Sequence, residues 1–121
     1  MNLDGIPVLD GAVLDELREA TGDDAEFIVD LVETYVEEGA ANLDGMAAAV
    51  AAGDAEAIVR PAHTLKSSSA SLGAMRLSAI ARSVEEAGRA GRVEGLADDV
   101  ARAKATWVAT LEAFAAAGLR R

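Results

Sequence analysis

Between Ile28 and Val50, residues that a protein core accepts recur every three or four positions: Ile28, Leu31, Tyr35, Gly39, Leu43, Met46, Val50. That spacing places them on one face of an α-helix for about six turns. A strand would need a period of two, so this stretch cannot be half of a sheet. A helix with one apolar stripe must bury that stripe, and the rest of the chain offers partners of the same kind. Asp10 can cap a short first helix with Val13, Leu14 and Leu17 inward, ending near Thr21-Gly22. Asp23 or Asp24 then opens the long second helix, and Ala52-Gly53-Asp54 closes it and caps the third. The third helix runs from about Asp54 to Leu72, with Gly73 ending it. The fourth runs from about Met75 to Ala90, with Leu77, Ile80, Ala81 and Val84 on one face and Gly88 and Gly91 marking its end. The fifth runs from about Glu94 to Ala117, with Leu96, Val100, Ala103, Trp107, Leu111 and Phe114 in line.

Short loops between long amphipathic helices favour antiparallel packing. The expected fold is therefore all-α: an antiparallel up-down four-helix bundle with a short extra N-terminal helix covering one end, in a single domain of residues 1–121. Composition agrees. The chain is 51% apolar but only 3% aromatic, and alanine carries much of the apolar share, which suits close helices better than a sheet. Phe27, Tyr35, Trp107, Phe114, Met46 and Met75 are expected in the core. Gly39 and Gly45 each cost about 1 kcal/mol in a helix interior relative to alanine, and fit a close approach of helices. Pro61 removes a helical hydrogen bond and crowds the preceding turn, so a kink before His63, or a helix whose regular part begins near Arg60, is expected.

Several function classes lack their chemistry here. There is no cysteine and one histidine, so neither a disulfide nor a typical zinc site can form. No Gly-x-x-x-x-Gly-Lys-Ser/Thr loop cradles a nucleotide phosphate, and the serines at 67–69 lack the setting of a hydrolase nucleophile. The N-terminus has no basic region followed by an apolar core, so no secretory signal is read, and no run is long enough to span a membrane. A cytoplasmic domain is expected. The net charge of −10 argues against nucleic acid as a partner. Charge is unevenly placed: residues 1–59 hold 15 acids and one base, whereas residues 60–92 hold six bases and only Glu85 and Glu86 as acids. A basic island on an acidic body can steer an acidic partner toward that segment. The arginines can equally serve only to balance a neighbouring acidic helix. The pair Glu85-Glu86 reads as a solvated helix face.

The single histidine lies inside the basic segment, in the run Arg60-Pro61-Ala62-His63-Thr64-Leu65-Lys66-Ser67. At about 100° per residue, Ile58, Leu65, Ser69 and Leu72 fall roughly 180–240° from His63, so the ring faces water. Lys66 and Arg60 flank it at roughly 60° on either side, and Ser67 and Ala70 lie within about 40°. By itself a lone histidine on a helix surface is a solvated polar residue. With small residues leaving it uncovered and two cations beside it, it has the makings of a phosphoryl acceptor, since imidazole is commonly neutral and nucleophilic near neutral pH and a lysine one turn away can pair with phosphoryl oxygens.

His63-x-Leu65-Lys66, followed by small residues and Leu72-Gly73-Ala74, resembles the signature of histidine-containing phosphotransfer (HPt) domains of multistep two-component relays. Leu77-x-x-Ile80-Ala81-x-x-Val84-Glu85 is similar to the next helix of that family, with Glu85 in its usual acidic place. The resemblance extends over roughly residues 8 to 117. One departure is Ser67, where the family commonly has glycine.

The resemblance implies a phosphorelay intermediate. His63 would accept a phosphoryl group, at Nε2 by family analogy, from the aspartate of one receiver domain and pass it to another. Lys66 would stabilise the transferring charge, and Val59, Arg60, Ser67, Ala70, Arg76 and Arg82 would help dock the partner. No cofactor is expected in this chain, the receiver supplying Mg²⁺, and phosphohistidine is not expected to be made from ATP by the chain itself. The implied partners are response-regulator receiver domains, including that of a hybrid histidine kinase, with neither nucleic acid nor membrane among them. Two alternatives stay open: an adaptor or inhibitor that binds a receiver without transfer, and an enzyme or ligand-binding bundle, which would need a buried polar constellation that the helices do not display.

Overall fold

The computed structural model describes residues 2–121, and five helices order them. The first, α1, spans Gly11–Ala20 and is capped by Asp10, whose carboxylate accepts the Ala12 N–H. The second, α2, spans Ala25–Ala51 behind Asp24, and the third, α3, spans Ala55–Ser71 behind Asp54. Asp24 and Asp54 each accept an N–H three residues ahead, from Phe27 and Ala57, which is the arrangement that makes aspartate a strong helix start. The fourth, α4, spans Met75–Arg89, and the fifth, α5, spans Leu96–Ala116. The bundle is closed: α2 packs on α3 and α5, and α4 packs on α3 and α5. Helix α1 touches α2 at one end.

No side chain caps α4. Its orphan amide at Arg76 instead donates to the carbonyl of Pro7 at 3.0 Å, while Asp10 N–H donates to Gly73 O at 2.7 Å. Arg76 Nε adds a bond to Ile6 O at 2.9 Å. The segment before α1 is thus a strap laid across the turn between α3 and α4, satisfying groups that a helix end would otherwise leave bare. Leu3 and Leu9 on the strap pack against the core.

The core is aliphatic, built on Ile28, Val32, Met46, Ile58, Leu65, Leu77, Ile80, Val84 and Phe114. The stripes differ from the expected ones by a small rotation. On α2, Val32 and Ala49 are buried where Leu31 and Val50 were expected in line. On α5, Thr106 and Thr110 take inward positions while Trp107 and Leu111 flank them. Thr110 can be buried because its hydroxyl donates to Thr106 O at 2.7 Å, leaving no polar group unpaired. Tyr35 meets Trp107 and Phe114 with ring centroids 5.3 and 5.9 Å apart. Its hydroxyl shares a 2.7 Å hydrogen bond with buried Ser69, and burial, partly offset by that bond, pushes its pKa up to about 12. Phe27 departs from expectation: in the first turn of α2 it stays 49% exposed. Met75 is half-buried.

Helix α3 continues through Pro61 rather than starting near Arg60. Two glycines explain close packing. Gly39 lies under the Trp107 ring, where a Cβ would come within 2.3 Å of the ring. Gly88, an end marker by sequence pattern, sits inside α4, buried against α3. A Cβ there would meet Ile58 Cγ2 at 2.4 Å and the backbone oxygen of Ala55 at 3.0 Å. Gly91, with φ +74°, makes the turn that follows α4.

Gly88→Ala is therefore expected to destabilise the fold by about 1–3 kcal/mol through overpacking, even though alanine is the better helix former. Leu65→Ala, removing a fully buried side chain, is expected to cost about 2–5 kcal/mol. Chemical denaturation followed by circular dichroism measures both, and a Gly88→Ala protein as stable as wild type would contradict the packing described.

Candidate functional site

His63 and Lys66 sit one turn apart on α3, and Glu85 and Arg89 sit one turn apart on the antiparallel α4. The two helices bring all four together. His63 is 53% exposed at its side chain, as its angular position opposite Leu65 and Leu72 required. Its Nδ1 lies 2.9 Å from Glu85 Oε2. Lys66 Nζ is 2.7 Å from Glu85 Oε1. Arg89 donates to Oε2 through Nε at 3.0 Å and through Nη2 at 2.8 Å.

Glu85 is the residue that the pattern reading misplaced. Glu86 is exposed and pairs with Arg82 at 3.1 Å, as a solvated face would. Glu85 is only 5% exposed. The signal was its position: it follows Val84 and lies four residues after Ala81, at the margin of the apolar stripe, where a carboxylate needs partners to be tolerated. Arg89, one turn further along α4, is one of those partners. Burial alone would raise the Glu85 pKa, but hydrogen bonds from Lys66, Arg89 and His63 outweigh it and hold the group at about 2, below its ordinary 4.5.

An ionised carboxylate only accepts hydrogen bonds. His63 must therefore present Nδ1–H to Glu85, and in the neutral ring the lone pair is then on Nε2. The arrangement fixes the tautomer of the neutral ring, in the way that a carboxylate orients an imidazole elsewhere. Both Glu85 oxygens accept from donors, Oε1 from Lys66 and Oε2 from His63 and Arg89.

Two surface grooves flank the His63–Glu85–Arg89 ridge. One is bordered by Val59, Arg60, His63, Gly88 and Arg89. The other is bordered by Lys66, Ser67, Ala70, Arg82 and, from the strap, Ile6. Of the predicted docking residues, Val59 and Arg60 thus lie on one side of the histidine, and Ser67, Ala70 and Arg82 on the other. Arg76 does not join them. It stands nine residues before Glu85, about 13 Å along the helix axis, with Nε tied to the strap.

Residues 30–117 match the family profile of the Hpt domain. Among solved structures, the chain is similar to the histidine-containing phosphotransfer protein HptB of Pseudomonas aeruginosa PAO1, with 29% identity and a TM-score of 0.79 over 89% of this chain and 91% of that one. No curated protein matches the chain. No helix of the described residues is long and apolar enough to cross a membrane.

A depressed folded-state pKa contributes stability above the unfolded value, and that contribution is lost as pH falls through the folded one. For Glu85 the window is from 4.5 down to about 2. Glu85→Gln is expected to be less stable than wild type at pH 7, and the gap should shrink across that window. Thermal melts of both proteins at a series of pH values measure this, and a gap independent of pH would contradict the charge network.

Proposed function

The chain belongs to the Hpt domain family, and we propose on that premise that it is a phosphorelay intermediate, carrying a phosphoryl group on His63 between the aspartates of two receiver domains. The observation that carries this reading is a half-exposed imidazole whose Nδ1–H is held by a buried, ionised Glu85, leaving Nε2 as the nucleophile.

In the forward step Nε2 attacks the phosphorus of a receiver's aspartyl phosphate. The N–P bond forms as the P–O bond to the aspartate breaks, and that electron pair leaves with the aspartate carboxylate. The proton on Nδ1 stays in place, so the phosphorylated ring is cationic, and its charge lies against Glu85. Transfer to the second receiver reverses the same bond changes. Phosphoryl transfer depends mostly on positioning and electrostatics, and the four residues supply both. Lys66 has three donors and uses at least one on Glu85, so it can turn another toward the phosphoryl oxygens. Mg²⁺, as in the family, would come with the receiver and would help to neutralise the charge of the transferring group. Ser67 and Ala70, on the face of α3 that carries His63, keep the approach open, as glycine would at the first of these positions.

The test is transfer from a panel of phosphorylated receiver domains. Wild type is expected to acquire an acid-labile, base-stable label, and His63→Gln none, with the same helical circular dichroism. Lys66→Ala is expected to transfer about ten- to a hundredfold more slowly at little cost in receiver binding. A label on His63→Gln would overturn the assignment. Binding of a receiver by wild type without label would favour the adaptor reading.

A further inference from the structure

Four lysine and arginine side chains border the two grooves beside His63: Arg60, Lys66, Arg82 and Arg89. Three of them are committed to carboxylates, Lys66 and Arg89 to Glu85 and Arg82 to Glu86. Arg60 is exposed and takes part in none of the ion pairs formed among the described residues. It borders the same groove as His63. Glu56 borders that groove as well, one turn before Arg60 on the same face of α3.

Position around α3 decides which cation can meet a group on Nε2. Lys66 and Arg60 stand about 60° to either side of His63. Glu85 accepts from both His63 Nδ1 and Lys66, so Nδ1 is turned toward the Lys66 side. The two ring nitrogens point away from each other, and Nε2 is therefore turned from Glu85 toward the open side, where Arg60 lies. Helical side chains lean toward the helix N-terminus, which carries the ring over the turn that holds Arg60. Residues three apart on a helix have Cβ atoms about 5–6 Å from each other, a gap that the arginine stem spans.

A phosphoryl group on Nε2 brings nearly two negative charges and three acceptor oxygens. Lys66 meets it from the Glu85 side, with its charge already shared with that carboxylate. On the other side a guanidinium can take two oxygens at once through its planar fork. With about twice the charge of a carboxylate, the phosphoryl group draws Arg60 more strongly than Glu56 does. We propose that Arg60 is a phosphoryl-binding residue of the site: its guanidinium holds the oxygens of the group as it arrives at and leaves Nε2, opposite Lys66. This rests on His63 as the acceptor in the relay reading above, and it gives Arg60 a role that does not depend on docking a partner.

Phosphoramidate tests this without a receiver, since Nε2 displaces ammonia from its phosphorus and no docking surface takes part. Labelling rates are compared for wild type, Arg60→Gln and Arg60→Lys. Arg102→Gln, on α5, is the control for net charge, and circular dichroism confirms that each variant is folded. Arg60→Gln is expected to be labelled about three- to tenfold more slowly at low salt, less than for a donor in a dry site because this one is open to water. Added salt should narrow that gap. Arg60→Lys is expected to recover part of the rate, and Arg102→Gln to match wild type. An Arg60→Gln rate equal to wild type overturns the proposal, even if that variant needs more receiver in the relay assay, since Arg60 would then serve docking alone. An Arg102→Gln rate as slow as that of Arg60→Gln also overturns it. A wild type labelled by phosphoramidate but by no receiver overturns the relay reading alone, and the Arg60 comparison still decides the proposal. A wild type that neither donor labels overturns both.

Discussion

A buried carboxylate stands at the centre of the site, and most of what surrounds it follows from the need to keep it charged. Glu85 projects from the margin of the apolar face of α4 toward α3. Burial of an unpaired carboxylate is costly, and three donors offset that cost: Lys66, Arg89 and Nδ1–H of His63. Each partner is thereby placed. The imidazole loses its choice of tautomer, the lysine is held one turn from it, and the arginine closes the far side. The same contact that stabilises the helix pair sets the chemistry of the ring.

That contact requires α3 and α4 to lie close and in register. Gly88 allows the approach, since α4 meets Ile58 and the Ala55 carbonyl where a side chain would stand. At the opposite end of the pair, the strap ties the α3–α4 turn through Gly73 and Arg76. Between these points, Ser78 donates to Lys66 O at 2.8 Å, a cross-helix bond only a few residues from the site. The pair is fixed at both ends and in the middle, so the histidine and the carboxylate keep their relation while the outer face of His63 stays open.

The fold was legible because its signals were periodic. Asp10, Asp24 and Asp54 start helices where capping chemistry places them, and the exposure of His63 followed from its angle to Leu65 and Leu72. What escaped were features that depend on a second helix. Glu85 and Glu86 are neighbours of identical chemistry, and only the packing of α3 against α4 makes one buried and the other solvated. Gly88 reads in sequence as a terminator because glycine's other use, as the thin spot in a helix contact, leaves no local mark. Phe27 was expected inside on composition alone, yet its place in the first turn of α2 leaves it half outside. The strap carries no periodicity at all, and it is tied down mainly through its own backbone groups, at Ile6, Pro7 and Asp10, which side-chain patterns do not encode.

The central claim is that Glu85 holds His63 as the Nδ1–H tautomer and leaves Nε2 bare. Because the chain has one histidine, uniform ¹⁵N labelling of histidine places two ring nitrogens in the NMR spectrum with no assignment problem. The account predicts that, with the ring neutral, the protonated nitrogen is Nδ1 and the unprotonated one is Nε2, and that Glu85→Gln weakens this preference. A wild-type ring that carries its proton on Nε2 would contradict it.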